Sequence, residues 1–170
     1  MQISEQLYQS YLKSLLNGEH QQCRSIINQL IAKKVDITAL YLDLFKRSMY
    51  EVGSLWEREK ISVATEHMCT LITESLLPLS YPLLTVTEHN NKRVLISCVP
   101  GEHHQIGALM VANYCEMLGW HAYSLGANTP LNALLSKIDD LKPDIFGISV
   151  SISFNLDSME KVVRAVSEEF

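Results

Sequence analysis

The spacing of apolar residues changes near residue 90, and this change constrains the fold more than any other feature of the chain. Before that point, apolar residues recur at the spacing of amphipathic helices. From residue 92 onward, short apolar runs alternate with helical stretches. Such an alternation is typical of a parallel sheet with right-handed crossovers. We therefore predict an α/β protein with two domains, an all-α part at residues 1–86 and a sheet-containing part at residues 92–170.

Four helical stretches joined by short links make up the first part and predict an up-down four-helix bundle. Asp36 and Ser62 precede the third and fourth stretches and are suited to cap them. Residues 80–92, which contain Pro82 and a polar run, read as the link between the two parts. The face predicted to be buried in the first helix consists of Ile3, Leu7, Tyr11 and Leu15.

Three strand-helix units follow, and they predict a flavodoxin-like or Rossmann-like sheet. Their strands are "RVLISCV", "WHAYSL" and "PDIFGISVSI". We expect Asn128 or Thr129 to cap the second helix, with Pro130 in its first turn. Sheets of this class usually have about five strands. The prediction is therefore a sheet truncated after its third unit, or completed by something else.

Composition excludes several classes of protein. The formal net charge is −5 and no Lys/Arg cluster is present, which argues against direct nucleic-acid binding. No apolar run approaches the roughly 18 residues that cross a membrane, and the N-terminus does not resemble a signal peptide. The four cysteines form no CxxC pair, so we expect reduced thiols, no zinc site and a cytoplasmic location.

The stretch "VPGEHHQIG" follows the first predicted strand and contains an E-x-H-x-x-G motif made of Glu102, His104 and Gly107. Ligands of parallel sheets bind beyond the carboxyl ends of the strands, where this loop lies. Glu102 is placed to orient the His104 imidazole, as carboxylates do for metal-bound histidines. His103 is interpreted as a spacer at the pocket rim. A solvated turn with two exposed histidines explains the stretch equally well.

Trp56, Glu66 and His67 form a second pattern, W-x9-E-H, in the helical part. A helical hairpin would bring the three side chains to one spot. A packed core tryptophan beside an ordinary acidic first turn is the plainer interpretation, and it is favoured for this pattern taken alone.

Ser149, Ser151 and Ser153 alternate along the third predicted strand, so we expect all three on one face of the sheet. A ligand packed against that face explains their size and polarity. Small residues that make room for a neighbouring helix explain them equally well.

These motifs together resemble the cobalamin-binding proteins in which a four-helix cap precedes a Rossmann-like domain. That family's signature is D-x-H-x-x-G followed by S-x-L, and "EHHQIG" and "SVSISFNLDSM" are similar to it. The cap stretch "VGSLWEREKISVATEHM" resembles the family's cap. The W-x9-E-H pattern resembles the CarH-type light-sensing branch, and we expect a chain without a DNA-binding domain of its own.

The resemblance implies a cobalamin, as adenosyl- or methylcobalamin, held between cap and sheet. His104 would be the lower axial cobalt ligand, hydrogen-bonded to Glu102. The trio of Trp56, Glu66 and His67 would cover the upper face, and Ser149 and Ser151 would line the slot for the nucleotide tail. Ser153 is also expected to contact the cofactor. The implied protein is a sensor that responds to light or cofactor state, acts through a homo-oligomer or a separate signalling partner, and is not an enzyme.

The sequence departs from the family pattern at several positions and leaves two alternatives open. Glu102 replaces the usual Asp, Ser151 the usual Leu, and Glu57 a histidine that the light sensors carry, while the family's Gly-Gly motif would lie beyond Phe170. One alternative is a photoreceptor that binds a linear tetrapyrrole such as biliverdin, with Cys69 or Cys98 as an attachment point. The other is a corrinoid methyl-carrier subunit of a methyltransferase, against which the W-x9-E-H trio argues.

Overall fold

The computed structural model describes residues 3–84 and 88–170. The chain folds as two units, Met1–Leu84 and Thr85–Phe170. The limits predicted for the helical domain, residues 1 and 86, lie outside the described residues.

Helices form the first unit, and they pack on one another as a four-helix bundle requires. The third helix, α3, is continuous through Ile37–Ala39, a π-helical stretch Leu40–Lys46, and Arg47–Glu57. A 3-10 helix, Leu77–Leu83, follows the last helix. The other helices are α1 Glu5–Leu16, α2 His20–Ala32 and α4 Val63–Leu76.

The predicted caps of this unit are confirmed. Asp36 accepts a hydrogen bond from the Ala39 backbone N–H, and Ser62 accepts one from the Thr65 N–H at 3.1 Å. The buried face of α1 is rotated from the predicted one, because Tyr8 is buried where Leu7 is only half-buried.

The second unit is a parallel three-stranded sheet in the order β2-β1-β3, as predicted for a flavodoxin-like arrangement. Helices on both faces cover it. One face of β1, with Ile96, packs on α5, and the other, with Leu95, packs on α6 and α7. In chain order the elements are β1 Arg93–Cys98, α5 Ile106–Met117, β2 His121–Ser124, α6 Leu131–Leu141, β3 Ile145–Ser149 and α7 Leu156–Glu169.

Two local predictions in this unit are wrong. The strand β3 ends at Ser149 and a 3-10 helix begins at Ser153, so the three serines do not alternate along one strand. Pro130 occupies the N-cap position of α6, without a side-chain cap. Asn128 does not cap that helix because its side-chain oxygen accepts the Gly101 N–H at 2.9 Å instead.

No helix within residues 3–84 and 88–170 is long and apolar enough to cross a membrane.

Candidate functional site

The loop between β1 and α5 lies at the point where the strand order reverses. The chain runs from β1 to β2 on one side and returns to β3 on the other, so the crevice lies at the carboxyl ends of β1 and β3. Val99 continues from β1 and its N–H donates to the Ser149 carbonyl at 3.2 Å. The loops that follow both strands therefore start side by side.

Glu102 is the centre of this loop cluster. Its side chain is fully buried, and both carboxylate oxygens accept hydrogen bonds. Oε1 accepts from the His104 backbone N–H at 3.0 Å and from His104 Nδ1 at 2.5 Å. Oε2 accepts from the Ser151 backbone N–H at 2.8 Å and from Asn155 Nδ2 at 3.0 Å. Burial raises the pKa of this carboxyl, but the hydrogen bonds from Ser151, His104 and Asn155 outweigh it and lower the pKa to about 2.

The charge on Glu102 fixes the form of the His104 ring. An ionised carboxylate only accepts hydrogen bonds, so the Nδ1 atom of His104 must carry the proton and donate it. In the neutral ring the lone pair then lies on Nε2. The Glu102 side chain is buried and fixes the His104 ring through Nδ1. The His104 side chain is itself 52% exposed, so the rest of the ring is open to a ligand.

Two asparagines that the sequence analysis did not assign to the site complete the loop cluster. Asn128 adopts a left-handed backbone conformation, and its N–H donates to the Glu102 carbonyl at 2.9 Å. Asn155 is buried and donates to the Glu102 carboxylate. The signal for Asn155 was its position just before a helix in "SFNLD", which indicates a cap, although its side chain makes no cap hydrogen bond.

The other residues predicted in the second unit have different environments. His103 is exposed, as expected for a spacer. Gly107 lies in the first turn of α5, and a Cβ added there would meet no atom within 4 Å, so the position is open to a bulky ligand. Ser149 is half-buried and Ser151 and Ser153 are exposed. The contact that Ser151 makes with Glu102 comes from its backbone and not from its hydroxyl group.

The predicted trio lies in the first unit. Glu66 and His67 are brought together, with His67 Nδ1 2.6 Å from Glu66 Oε2, and Thr70 donates to the other carboxylate oxygen at 2.9 Å. Trp56 is 48% exposed near the end of α3, so the interpretation of a packed core tryptophan is wrong. Exposure leaves both the indole and the His67 ring available for contacts.

The metal-binding side chains of this site suit a metal ion that is already coordinated by a cofactor. Within the described part of the chain, no group of three or more His, Cys, Asp or Glu side chains is arranged to hold a metal ion. A metal ion already enclosed by a macrocycle would need only one imidazole from the protein, and the exposed His104 ring fits that requirement. Cys69 and Cys98 are both buried, and burial raises the pKa of each thiol to about 11.

Each of the two units matches a family model, and the two models share one description. Two family models, each described as a B12 binding domain, match residues 92–169 and 7–78. Among curated proteins, the chain is 25% identical over 118 residues to the HTH-type transcriptional repressor CarH of Myxococcus xanthus, covering 69% of this chain and 39% of CarH. It is 24% identical over 123 residues to dimethylamine corrinoid protein 1 of Methanosarcina mazei, covering 71% of this chain and 57% of that protein.

The fold also matches a solved structure. The monomethylamine corrinoid protein of Methanosarcina barkeri superposes with a TM-score of 0.83 at 14% identity, over 98% of this chain and 80% of that one. The chain spans less than two thirds of the length of CarH and of the dimethylamine corrinoid protein.

Proposed function

The chain belongs to the B12-binding domain proteins, and from this premise we propose that it binds a cobalamin with His104 Nε2 as the lower axial ligand. The observation that carries the proposal is the Glu102–His104 pair at the carboxyl end of β1. Glu102 accepts the hydrogen bond from Nδ1–H, which leaves Nε2 as the nitrogen free to ligate. Such a carboxylate behind a metal-bound histidine fixes the ring and raises its basicity as a ligand.

When bound, a cobalamin would supply a cobalt ion whose bond to an organic group can be formed and broken. In the proposal, the protein orients that cofactor and controls access to it. Gly107, where an added Cβ would meet open space, is assigned to the cofactor-binding site, and His103 is assigned to its rim. Ser149 and Ser151 are assigned to the nucleotide tail, and Ser153 is assigned to the cofactor-binding site.

For the biological role, we propose a sensor that responds to light or to the state of the cofactor. The W-x9-E-H trio and the similarity to the CarH repressor support this role. Trp56, Glu66 and His67 are assigned to the upper face. Trp56 and His67 are exposed and available to contact an adenosyl group, whereas the Glu66 carboxylate is half-buried and lies against His67 and Thr70. Loss of that group would change the contacts of Trp56, which is the differential interaction that a two-state switch requires. The sensor would act through a homo-oligomer or a separate signalling partner, without catalysis of its own.

A methyl-carrier subunit is the second candidate. The similarity to a dimethylamine corrinoid protein supports it. A carrier would partner with a methyltransferase and would keep the cofactor accessible to a methyl donor. Light sensitivity of the bound protein distinguishes the two roles, because a carrier has no need for a conformational response to photolysis.

The biliverdin alternative gains no support from the similarities of this chain, which are to B12-binding and corrinoid proteins. The structure also weakens its chemistry. Cys69 and Cys98 are buried with raised pKa values, so neither thiol is suited to form a thioether with a bilin.

An absorbance titration tests the proposed function. The protein is mixed in the dark with hydroxocobalamin, methylcobalamin, adenosylcobalamin or biliverdin, and unbound cofactor is removed. We expect retention of a corrinoid, with a histidine-ligated spectrum that His104→Ala abolishes. A change in oligomeric state or protease sensitivity on illumination of the adenosylcobalamin complex supports the sensor, and its absence supports the carrier. A protein that retains none of the corrinoids contradicts both roles.

A further inference from the structure

We propose that Phe154, in the loop after β3, is a contact residue for the corrin ring of the cofactor. The inference deepens the proposed function and rests on it for the identity of the ligand. It is carried by an almost fully exposed aromatic side chain on a loop that shares a buried anchor, Glu102, with the His104 loop.

The exposure of Phe154 is the first observation. The residue is 89% exposed, more than any other large apolar residue in the part of the chain that the structure describes. Burial of a phenylalanine side chain is strongly favourable, and a ring left in water forgoes that gain. Ile152 and Leu156 are also exposed, and residues 149–156 include no charged side chain. The loop after β3 therefore presents apolar side chains to solvent.

The backbone on both sides of Phe154 is held in place. Before it, the Ser151 N–H donates to Glu102 Oε2 at 2.8 Å. After it, Asn155 is buried and its Nδ2 donates to the same oxygen at 3.0 Å. Phe154 lies between these contacts, in the short 3-10 helix Ser153–Asn155. Because the loop is fixed at both ends, it cannot turn the aromatic ring into the core without breaking them.

The same anchor places this loop beside the candidate cobalt ligand. The other oxygen of Glu102, Oε1, accepts from the backbone N–H and from Nδ1 of His104. The two loops also approach each other closely, since a Cβ added at Gly101 would lie 3.3 Å from Asn155 Oδ1. One buried carboxylate therefore fixes both the exposed imidazole and the loop that carries Phe154.

A corrin ring is the occupant that suits these apolar side chains. Parallel sheets bind ligands beyond the carboxyl ends of their strands, and ligand sites are lined mainly by apolar and aromatic side chains. A macrocycle is much wider than the imidazole that ligates its metal, so a ring held by His104 extends over the neighbouring loop. Phe154 supplies apolar contact there, on the face of the ring that His104 ligates.

Binding measurements with two corrinoids test this contact. Hydroxocobalamin carries the nucleotide tail and aquacobinamide lacks it, while both contain the corrin ring. Because burial of a phenylalanine side chain is worth about tenfold or more in affinity, Phe154→Ala should raise both dissociation constants about tenfold. Phe154→Leu keeps an apolar side chain and should raise them by about threefold or less.

Phe170→Ala is the matched control, since it removes another exposed phenyl ring at the far end of α7. It should leave both dissociation constants unchanged. Phe154→Ala should keep the wild-type midpoint of urea unfolding, because the side chain that it removes is exposed. Weaker binding at an unchanged midpoint is then a loss of contact and not a loss of fold.

The pattern across the two corrinoids decides between the possible occupants. An equal rise for both supports contact with the corrin ring. A rise for hydroxocobalamin alone would assign Phe154 to the nucleotide tail and overturn the inference. Unchanged constants for both would also overturn it, and a changed oligomeric state of Phe154→Ala in light scattering would then assign the ring to contacts between copies of the chain.

Fluorine NMR tests the contact without relying on a weakened variant. The chain has four phenylalanines, so labelling with 4-fluorophenylalanine gives four signals, and Phe154→Ala identifies the signal of Phe154. Cob(II)alamin is paramagnetic and should broaden that signal while the Phe170 signal stays sharp. A Phe154 signal as sharp as that of Phe170 in the complex overturns the inference.

Wild-type binding separates this failure from failure of the proposed function. If wild type binds hydroxocobalamin and Phe154→Ala binds it equally tightly, the inference fails and the proposed function stands. If wild type binds neither corrinoid, the proposed function itself fails, and the assignment of Phe154 fails with it.

Discussion

The substitution Glu102→Gln removes a buried charge while nearly conserving side-chain volume, and the structure predicts a large loss of stability. Each oxygen of Glu102 accepts from two N–H groups. A glutamine has one carbonyl oxygen and one NH₂ group. Whichever way the amide is turned, its NH₂ group faces a backbone N–H, either that of His104 or that of Ser151, and that donor loses its acceptor. The second unit should therefore be destabilised even though no cavity is created.

The magnitude follows from the pKa of Glu102. That pKa is about 2 in the folded protein, compared with an ordinary value of about 4.3. A difference of about two pH units corresponds to about 3 kcal/mol of stability at neutral pH. Because the folded pKa is the lower one, this stabilisation is fully present above about pH 4.3 and is lost as the pH falls toward 2. Glu102→Gln should therefore cost about 3 kcal/mol at pH 7 and about half of that at pH 3.

Urea unfolding of the cofactor-free protein measures this difference. The chain has two tryptophans, and in a Trp56→Phe background the remaining Trp120 reports on the second unit alone. Glu168→Gln is the matched control, since it removes a carboxylate from the exposed end of α7 and should change the free energy of unfolding by less than about 0.5 kcal/mol.

Two results would refute the reasoning. One is a loss at pH 7 no larger than that of Glu168→Gln. The other is a loss that stays constant between pH 7 and pH 3, because a packing effect of glutamine has no reason to follow the protonation of Glu102.

Three further predictions concern stability and light response. Gly119 has a φ of +85° and an added Cβ would lie 2.3 Å from the Glu88 carbonyl oxygen, so Gly119→Ala should cost at least about 2 kcal/mol in urea unfolding. Gly107→Ala, where the added Cβ meets open space, should instead raise the free energy of unfolding by about 0.5–1 kcal/mol; a similar loss in both variants would contradict this account. Trp56→Ala should abolish the light-induced change of the adenosylcobalamin complex while costing less than about 1 kcal/mol in stability, since the side chain is 48% exposed. If that variant fails to fold, Trp56 is a core residue and the assignment to a cofactor contact is wrong.

Much of the fold could be predicted because its signals are local. Apolar periodicity located the helices and the three strands, and the caps at Asp36 and Ser62 follow from short polar side chains before a helix. The Glu102–His104 contact was also predictable, because residues two apart in a loop can meet without help from distant parts of the chain.

Features that depend on distant residues were not predictable in the same way. Asn155 and Glu102 are separated by 53 residues, and nothing near Asn155 shows that its amide would turn away from its own helix. The end of β3 at Ser149 was missed because "SVSISF" retains an alternating pattern, whereas the Ser151 N–H is taken by Glu102. The π-helical stretch Leu40–Lys46 has no distinct signal, since its apolar spacing is that of an ordinary helix.

The most direct test of the central claim is the electron paramagnetic resonance spectrum of the protein reconstituted with cob(II)alamin. The unpaired electron of Co(II) couples to an axial nitrogen, so each cobalt line splits into a triplet with ¹⁴N and into a doublet with ¹⁵N. We predict a triplet for the unlabelled protein and a doublet for protein labelled with [¹⁵N]histidine, and His104→Ala should lose the doublet. A triplet that persists in the labelled protein would show that the axial nitrogen is not a histidine, and would contradict the assignment of His104 as the cobalt ligand.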